Sequence, residues 1–110
     1  MTKYNCNYEG TMPFTDTSAR FALATNAAQS YTVPGDNTIK YKAVFTYASN
    51  ANVVVAINKT ATVPAAGTTE TTTNMEYKPE ERYVLGGNVL SFITPDTSAY
   101  CGVSLWQLPA

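Results

Sequence analysis

From Thr38 to Tyr47 the chain alternates. Ile39, Tyr41, Ala43, Phe45 and Tyr47 fall on one parity and Thr38, Lys40, Lys42 and Thr46 on the other, with only Val44 out of step. A period of two built from β-branched and aromatic residues describes a strand with one face buried and one face wet, and helical spacing fits it badly. The pattern returns at Asn52 to Asn58, where Val53, Val55 and Ile57 share a face, and at Ala99 to Leu108, where Cys101, Val103 and Leu105 do. Shorter candidates lie at Arg20 to Ala24, Gln29 to Val33, Arg82 to Leu85 and Val89 to Thr94, giving seven or eight strands. No ten residues carry a 3.6-residue stripe, and Glu80-Glu81-Arg82 after Pro79 could make one helical turn at most. The expected fold class is therefore all-β, a single antiparallel sandwich or barrel.

Turn chemistry punctuates these strands at Pro34-Gly35-Asp36-Asn37, Ala48-Ser49-Asn50-Ala51-Asn52, Gly86-Gly87-Asn88 and Thr94-Pro95-Asp96. The Gly86-Gly87 pair can supply the positive φ of a tight hairpin. At 110 residues the chain is the size of one domain. It reads as an N-terminal arm over residues 1–18 followed by a β domain over 19–110. A second stretch, Ala61 to Asn74, is rich in Thr, Ala, Pro and Gly, and is either a flexible connection or, through Thr68 to Thr73, an extended edge strand. No fixed-period repeat is visible, which excludes propellers and solenoids.

The chain has no histidine, so Ser–His–Asp and Cys–His nucleophile systems cannot be built and the commonest metal ligand is missing. Two cysteines, Cys6 and Cys101, cannot close a zinc site. They could form a disulfide if the arm lies beside the last strand, but the favoured reading is a buried thiol at Cys101 and a free one at Cys6. Two carboxylates of a glycosidase could be brought ~5–10 Å apart by the fold, yet no spacing singles out a pair. Asp36-Asn37 reads as turn chemistry rather than a calcium site, and Asn58-Lys59-Thr60 matches a glycosylation acceptor that matters only after secretion. No enzyme activity, cofactor or metal is expected. A net charge of −1 gives no field to hold nucleic acid. No run approaches the ~18 apolar residues of a membrane-spanning helix, and the start lacks a signal-peptide core, so a protein made and kept in the cytoplasm is expected.

The aromatics say more. Eight tyrosines and one tryptophan exceed what so small a core can hide, and such rings are favoured at the centres of interfaces. If Cys101, Val103 and Leu105 face the core, a period of two puts Gly102, Ser104 and Trp106 on the opposite face, unless a twist or bulge turns Trp106 inward. Tyr4, Tyr8 and Phe14 on the arm pose the same question: docking onto a neighbour, or packing back on their own sheet. Tyr4, Tyr8, Phe14 and Trp106 are the candidate interface residues.

Ser30-Tyr31-Thr32-Val33-Pro34-Gly35, Tyr41-Lys42-Ala43-Val44-Phe45-Thr46-Tyr47, Pro79-Glu80-Glu81-Arg82-Tyr83-Val84 and Val89-Leu90-Ser91-Phe92-Ile93 span most of the chain. In these segments it resembles small virion proteins of tailed bacteriophages, above all the capsid decoration, or staple, proteins of short-tailed Salmonella phages. That resemblance implies a jelly-roll-like β fold and a place on the outside of an HK97-type icosahedral shell. The partner would be the major capsid protein, with self-association as a dimer that clamps neighbouring capsomers and no catalysis. It supplies no contact residues to carry over. The rival readings are a carbohydrate-binding β-sandwich module and a tail or baseplate adaptor.

Overall fold

The computed structural model describes residues 13–109. Eight strands follow one another: β1 (Thr17–Ala24), β2 (Gln29–Thr32), β3 (Lys40–Tyr47), β4 (Val54–Ile57), β5 (Met75–Tyr77), β6 (Glu81–Leu85), β7 (Val89–Ile93) and β8 (Ser98–Gln107). They form two four-stranded antiparallel sheets, ordered β1-β8-β3-β6 and β2-β7-β4-β5. First pairs with eighth, second with seventh, third with sixth and fourth with fifth, as if one long hairpin had been rolled up. This is the strand order of a jelly-roll sandwich.

Rolling means that every connection except β4–β5 crosses from one sheet to the other. Gly86-Gly87 is therefore not a hairpin: Gly87 does take a positive φ of 85°, but β6 and β7 on either side of it lie in opposite sheets. Asparagines do similar work elsewhere, with Asn26, Asn50, Asn58 and Asn74 all at positive φ. A short side chain that bonds to local backbone tolerates that region best among residues with a Cβ.

The alternating segments fold as their periods demand. Tyr41, Ala43 and Phe45 of β3, Cys101, Val103 and Leu105 of β8, and Val53 and Val55 beside and on β4 are all buried in one core. Val44, out of step in the sequence, faces outward opposite Glu81 and Ser104. The sheets are joined through aromatic rings. Phe92 of β7 stacks on Phe21 of β1 at 4.5 Å and lies 6.2 Å from Phe45, while Tyr31 meets Phe21 edge-on at 6.0 Å. Such pairs add ~0.5–1.5 kcal/mol each beyond their burial.

Three boundaries differ from the sequence reading. β1 opens at Thr17, so Thr17 and Ser18, inside the span assigned to the arm, already pair with Leu105 and Ser104. The Glu80-Glu81-Arg82 stretch is extended and enters β6. Ala61 to Asn74 forms no strand; the edge strand comes just after it, as β5. This connection is nevertheless packed. Ala61 is buried with Ala56 and Ile93 against the outer face of the β2-β7-β4-β5 sheet, with Val54, Val63 and Met75 around them. The buried Ser91 Oγ accepts the Ala61 N–H at 3.0 Å. The outer face of this sheet is thus covered in part by its own chain, whereas among the described residues the other sheet carries only the Pro13–Thr15 segment, along β8. Among the described residues no helix is long and apolar enough to cross a membrane.

Candidate functional site

The outer face of the β1-β8-β3-β6 sheet carries two strongly exposed rings, Tyr83 and Tyr100, while Tyr77 of β5, 61% exposed, lies on the other sheet. Strand periodicity sends Tyr100, Gly102, Ser104 and Trp106 of β8 outward, together with Ser18 and Arg20 of β1, Lys40, Lys42 and Thr46 of β3, and Tyr83 of β6. Tyr83 is 70% exposed and Tyr100 63%. Lys40 Nζ stands 5.3 Å from the Tyr83 ring centroid, and Lys42 Nζ lies 3.3 Å from Glu81 Oε1. These contacts order two long side chains beside exposed aromatic surface, though exposed ion pairs add little stability.

Trp106 faces outward, as the period of two requires, in register with Lys42. Its indole Nε1 donates to the Pro13 carbonyl at 3.0 Å, while the Thr15 hydroxyl donates to the Leu105 carbonyl. The end of the arm is thereby laid along β8 and partly covers Trp106. Phe14, between those two anchors, is 99% exposed. Pro13, Phe14, Thr15, Ser18, Ser104 and Trp106 surround a depression of about 400 Å³.

A second depression, of about 180 Å³, lies further along the same strand, between Arg20, Thr46 and Tyr100 and over Gly102. Its floor depends on glycine: a Cβ at Gly102 would come within 3.1 Å of the Ala19 carbonyl oxygen and 3.3 Å of Thr46 Oγ1. Below it the Cys101 thiol is buried, and burial pushes its pKa up to about 11, so at neutral pH it is a protonated thiol and not a nucleophile. Small residues Gly102 and Ser104 between Tyr100 and Trp106 make a shallow trough with an aromatic ring at each end. Six residues of strand set those rings about 20 Å apart.

The structure thus brings together two of the sequence candidates, Phe14 and Trp106, at one end of this face. Tyr4, Tyr8 and Cys6 lie outside the described residues. Two rings were missed, although the same parity carries them: Tyr100 is six residues before Trp106, and Tyr83 precedes the inward Val84. Three carboxylates are occupied with structural partners. Asp96 accepts the Asn52 N–H at 2.9 Å, Glu76 takes both Nε and Nη2 of Arg82, and Asp36 takes the Thr38 N–H and hydroxyl. Among the described residues no three His, Cys, Asp or Glu converge as metal ligands would. No family model matches the chain, and no curated protein or solved structure does.

Proposed function

We propose that this is a structural virion protein that attaches to the outside of an HK97-type icosahedral capsid and staples neighbouring major capsid subunits. The observation that carries the reading is the asymmetry of the sandwich. One sheet is covered in part by the chain's own connection, whereas the other presents Tyr83, Tyr100, Trp106 and the adjacent Phe14 on a single face. Tyr, Trp and Phe rings are enriched at interface centres, with charged residues such as Lys40 and Lys42 left to the rim. The resemblance to phage decoration proteins supplies the partner and the outside-of-shell position. Binding would be distributive. Each copy buries a modest area, and many symmetry-related contacts together resist the pressure of packaged DNA.

The trough from Tyr100 across Gly102 and Ser104 to Trp106 favours one second reading, a site for an extended glycan lying over the two rings. Co-sedimentation with short-tailed Salmonella phage shells stripped of accessory proteins separates these. Stoichiometric binding per major capsid subunit, weakened by Trp106→Ala and Tyr100→Ala while thermal stability holds, is the expected result. Saturation at a handful of copies per particle would point to a tail adaptor instead. No binding to shells, with retention on a glycan array that both substitutions abolish, would establish the second reading.

A further inference from the structure

The far edge of the sandwich holds a second site, which shares only Tyr83 with the aromatic face. Where β5 and β6 face one another from opposite sheets, a cavity of about 160 Å³ reaches into the core between Phe45, Val55, Ile57, Val84 and Leu90. Phe45, Val55, Val84 and Leu90 belong to the buried core, so the inner wall is hydrocarbon, while Asn74 adds a polar group to the lining. The mouth is not. Glu76 of β5 and Arg82 of β6 also border the cavity, and Arg82 Nε and Nη2 donate to the two carboxylate oxygens at 2.8 and 2.5 Å. This bidentate pair joins the sheets across the opening. Both side chains are half-exposed, 46% for Arg82 and 53% for Glu76, so water reaches the pair from outside and the pair can part without stranding a charge in the core.

Volume and lining together define what fits. An apolar space of ~150 Å³ is roomy enough for benzene. Here the inner wall of Phe45, Val55, Val84 and Leu90 offers water no hydrogen-bond partners, which are confined to Asn74, Glu76 and Arg82 nearer the mouth, so an apolar guest displaces poorly held water. We propose that this cavity is a binding site for a small uncharged aromatic or branched-aliphatic molecule, seated against the inner wall with the Glu76–Arg82 pair narrowing its mouth. A charged molecule of the same size would lose its hydration against Phe45, Val55 and Leu90 without finding a partner inside. The pair adds a kinetic property. Removing it should hasten entry and exit without changing which molecules bind.

The test is a titration of the whole chain with fluorobenzene, followed by the methyl resonances of its valines, leucines and isoleucines and by ¹⁹F line width. Saturable shifts confined to Val55, Ile57, Val84 and Leu90 are expected, with Leu23 and Val103 unmoved. Benzoate and anilinium should bind at least about tenfold more weakly. Filling the space with Ile57→Phe, at a partly exposed wall position, should lower affinity by about tenfold or more. Glu76→Ala with Arg82→Ala should speed exchange at near-unchanged affinity. Shifts that never saturate, or that fall on the aromatic face instead, would overturn the proposal in the unaltered protein. So would Ile57→Phe binding as well as wild type.

Discussion

Gly86 has no room for a side chain. A Cβ there would stand 2.8 Å from both the Pro34 carbonyl oxygen and the Gly35 carbonyl carbon, and would also strike the Asp36 carbonyl oxygen. All three are backbone atoms of the β2–β3 connection, which cannot rotate aside as a flexible side chain would. Gly86→Ala should therefore cost about 3 kcal/mol, at the upper end of overpacking effects. Gly67 is the control. It has a positive φ of 79° but nothing within 4 Å of where a Cβ would stand. Gly67→Ala should lose only the left-handed backbone term, about 1 kcal/mol. Urea unfolding of both variants measures the difference, and equal losses would mean that the β2–β3 connection shifts to make room. Residue-scale logic of this kind was half visible in the sequence. Gly86-Gly87 announced a turn, but the neighbour that makes Gly86 obligatory lies some fifty residues earlier in the chain, where no local reading reaches.

At the scale of elements, β3 was legible because a half-buried strand writes its orientation into every second residue, from Tyr41 to Phe45. β8 was legible for the same reason, and with it the outward course of Trp106. β5 was not. Met75-Glu76-Tyr77 has three residues and no inward hydrophobe at its centre, because Glu76 points to the sandwich edge and meets Arg82. β7 was expected at Val89 to Thr94, but its double-sided burial was not: Leu90 to Ile93 are buried on both faces, so the alternation disappears. The cause is the connection after β4, whose Ala61 and Val63 cover the outer side of Ala56 and Ile93. Ser91 pins it. Ser91→Ala would leave the buried Ala61 N–H without its acceptor, which costs about 1–3 kcal/mol. The same change should raise the rate at which protease cuts within 61–74, since that connection is held by few other polar contacts to the sheet. Stability lost without faster cleavage would mean that apolar packing alone retains it. The candidate face was less legible than the strands. Tyr83 and Tyr100 join Trp106 only once β6, β3 and β8 are known to be neighbours, and that order is set by the rolled topology rather than by any local pattern.

For the molecule as a whole, the jelly roll places its weak points where the chain crosses between sheets, and carboxylates sit at three of those crossings. Glu76 and Arg82 flank the β5–β6 crossing, Asp96 ties the β7–β8 turn to Asn52 in the β3–β4 connection, and Asp36 closes the β2–β3 turn on Thr38. Each carboxyl is held below its ordinary range by the hydrogen bonds it accepts: from the Arg82 side chain at Glu76, from the Asn52 backbone and amide at Asp96, and from the Thr38 hydroxyl and N–H at Asp36. A folded-state pKa below the unfolded one means that the native state binds fewer protons over that interval. The stability these groups contribute is therefore complete above the ordinary carboxylate range, near ~4, and is lost as pH falls through the lower folded values. The urea midpoint should stay level from about pH 7 to about 5 and fall steeply below about 4. Glu76→Gln should start lower at neutral pH, because Arg82 then faces a neutral amide, and should fall less in acid. The two curves should converge once Glu76 of the wild type is protonated. Parallel curves would show that the Glu76–Arg82 pair contributes nothing to acid sensitivity, leaving Asp36 and Asp96 to account for it, and would make the pair a narrowing of the cavity mouth rather than a brace between the sheets.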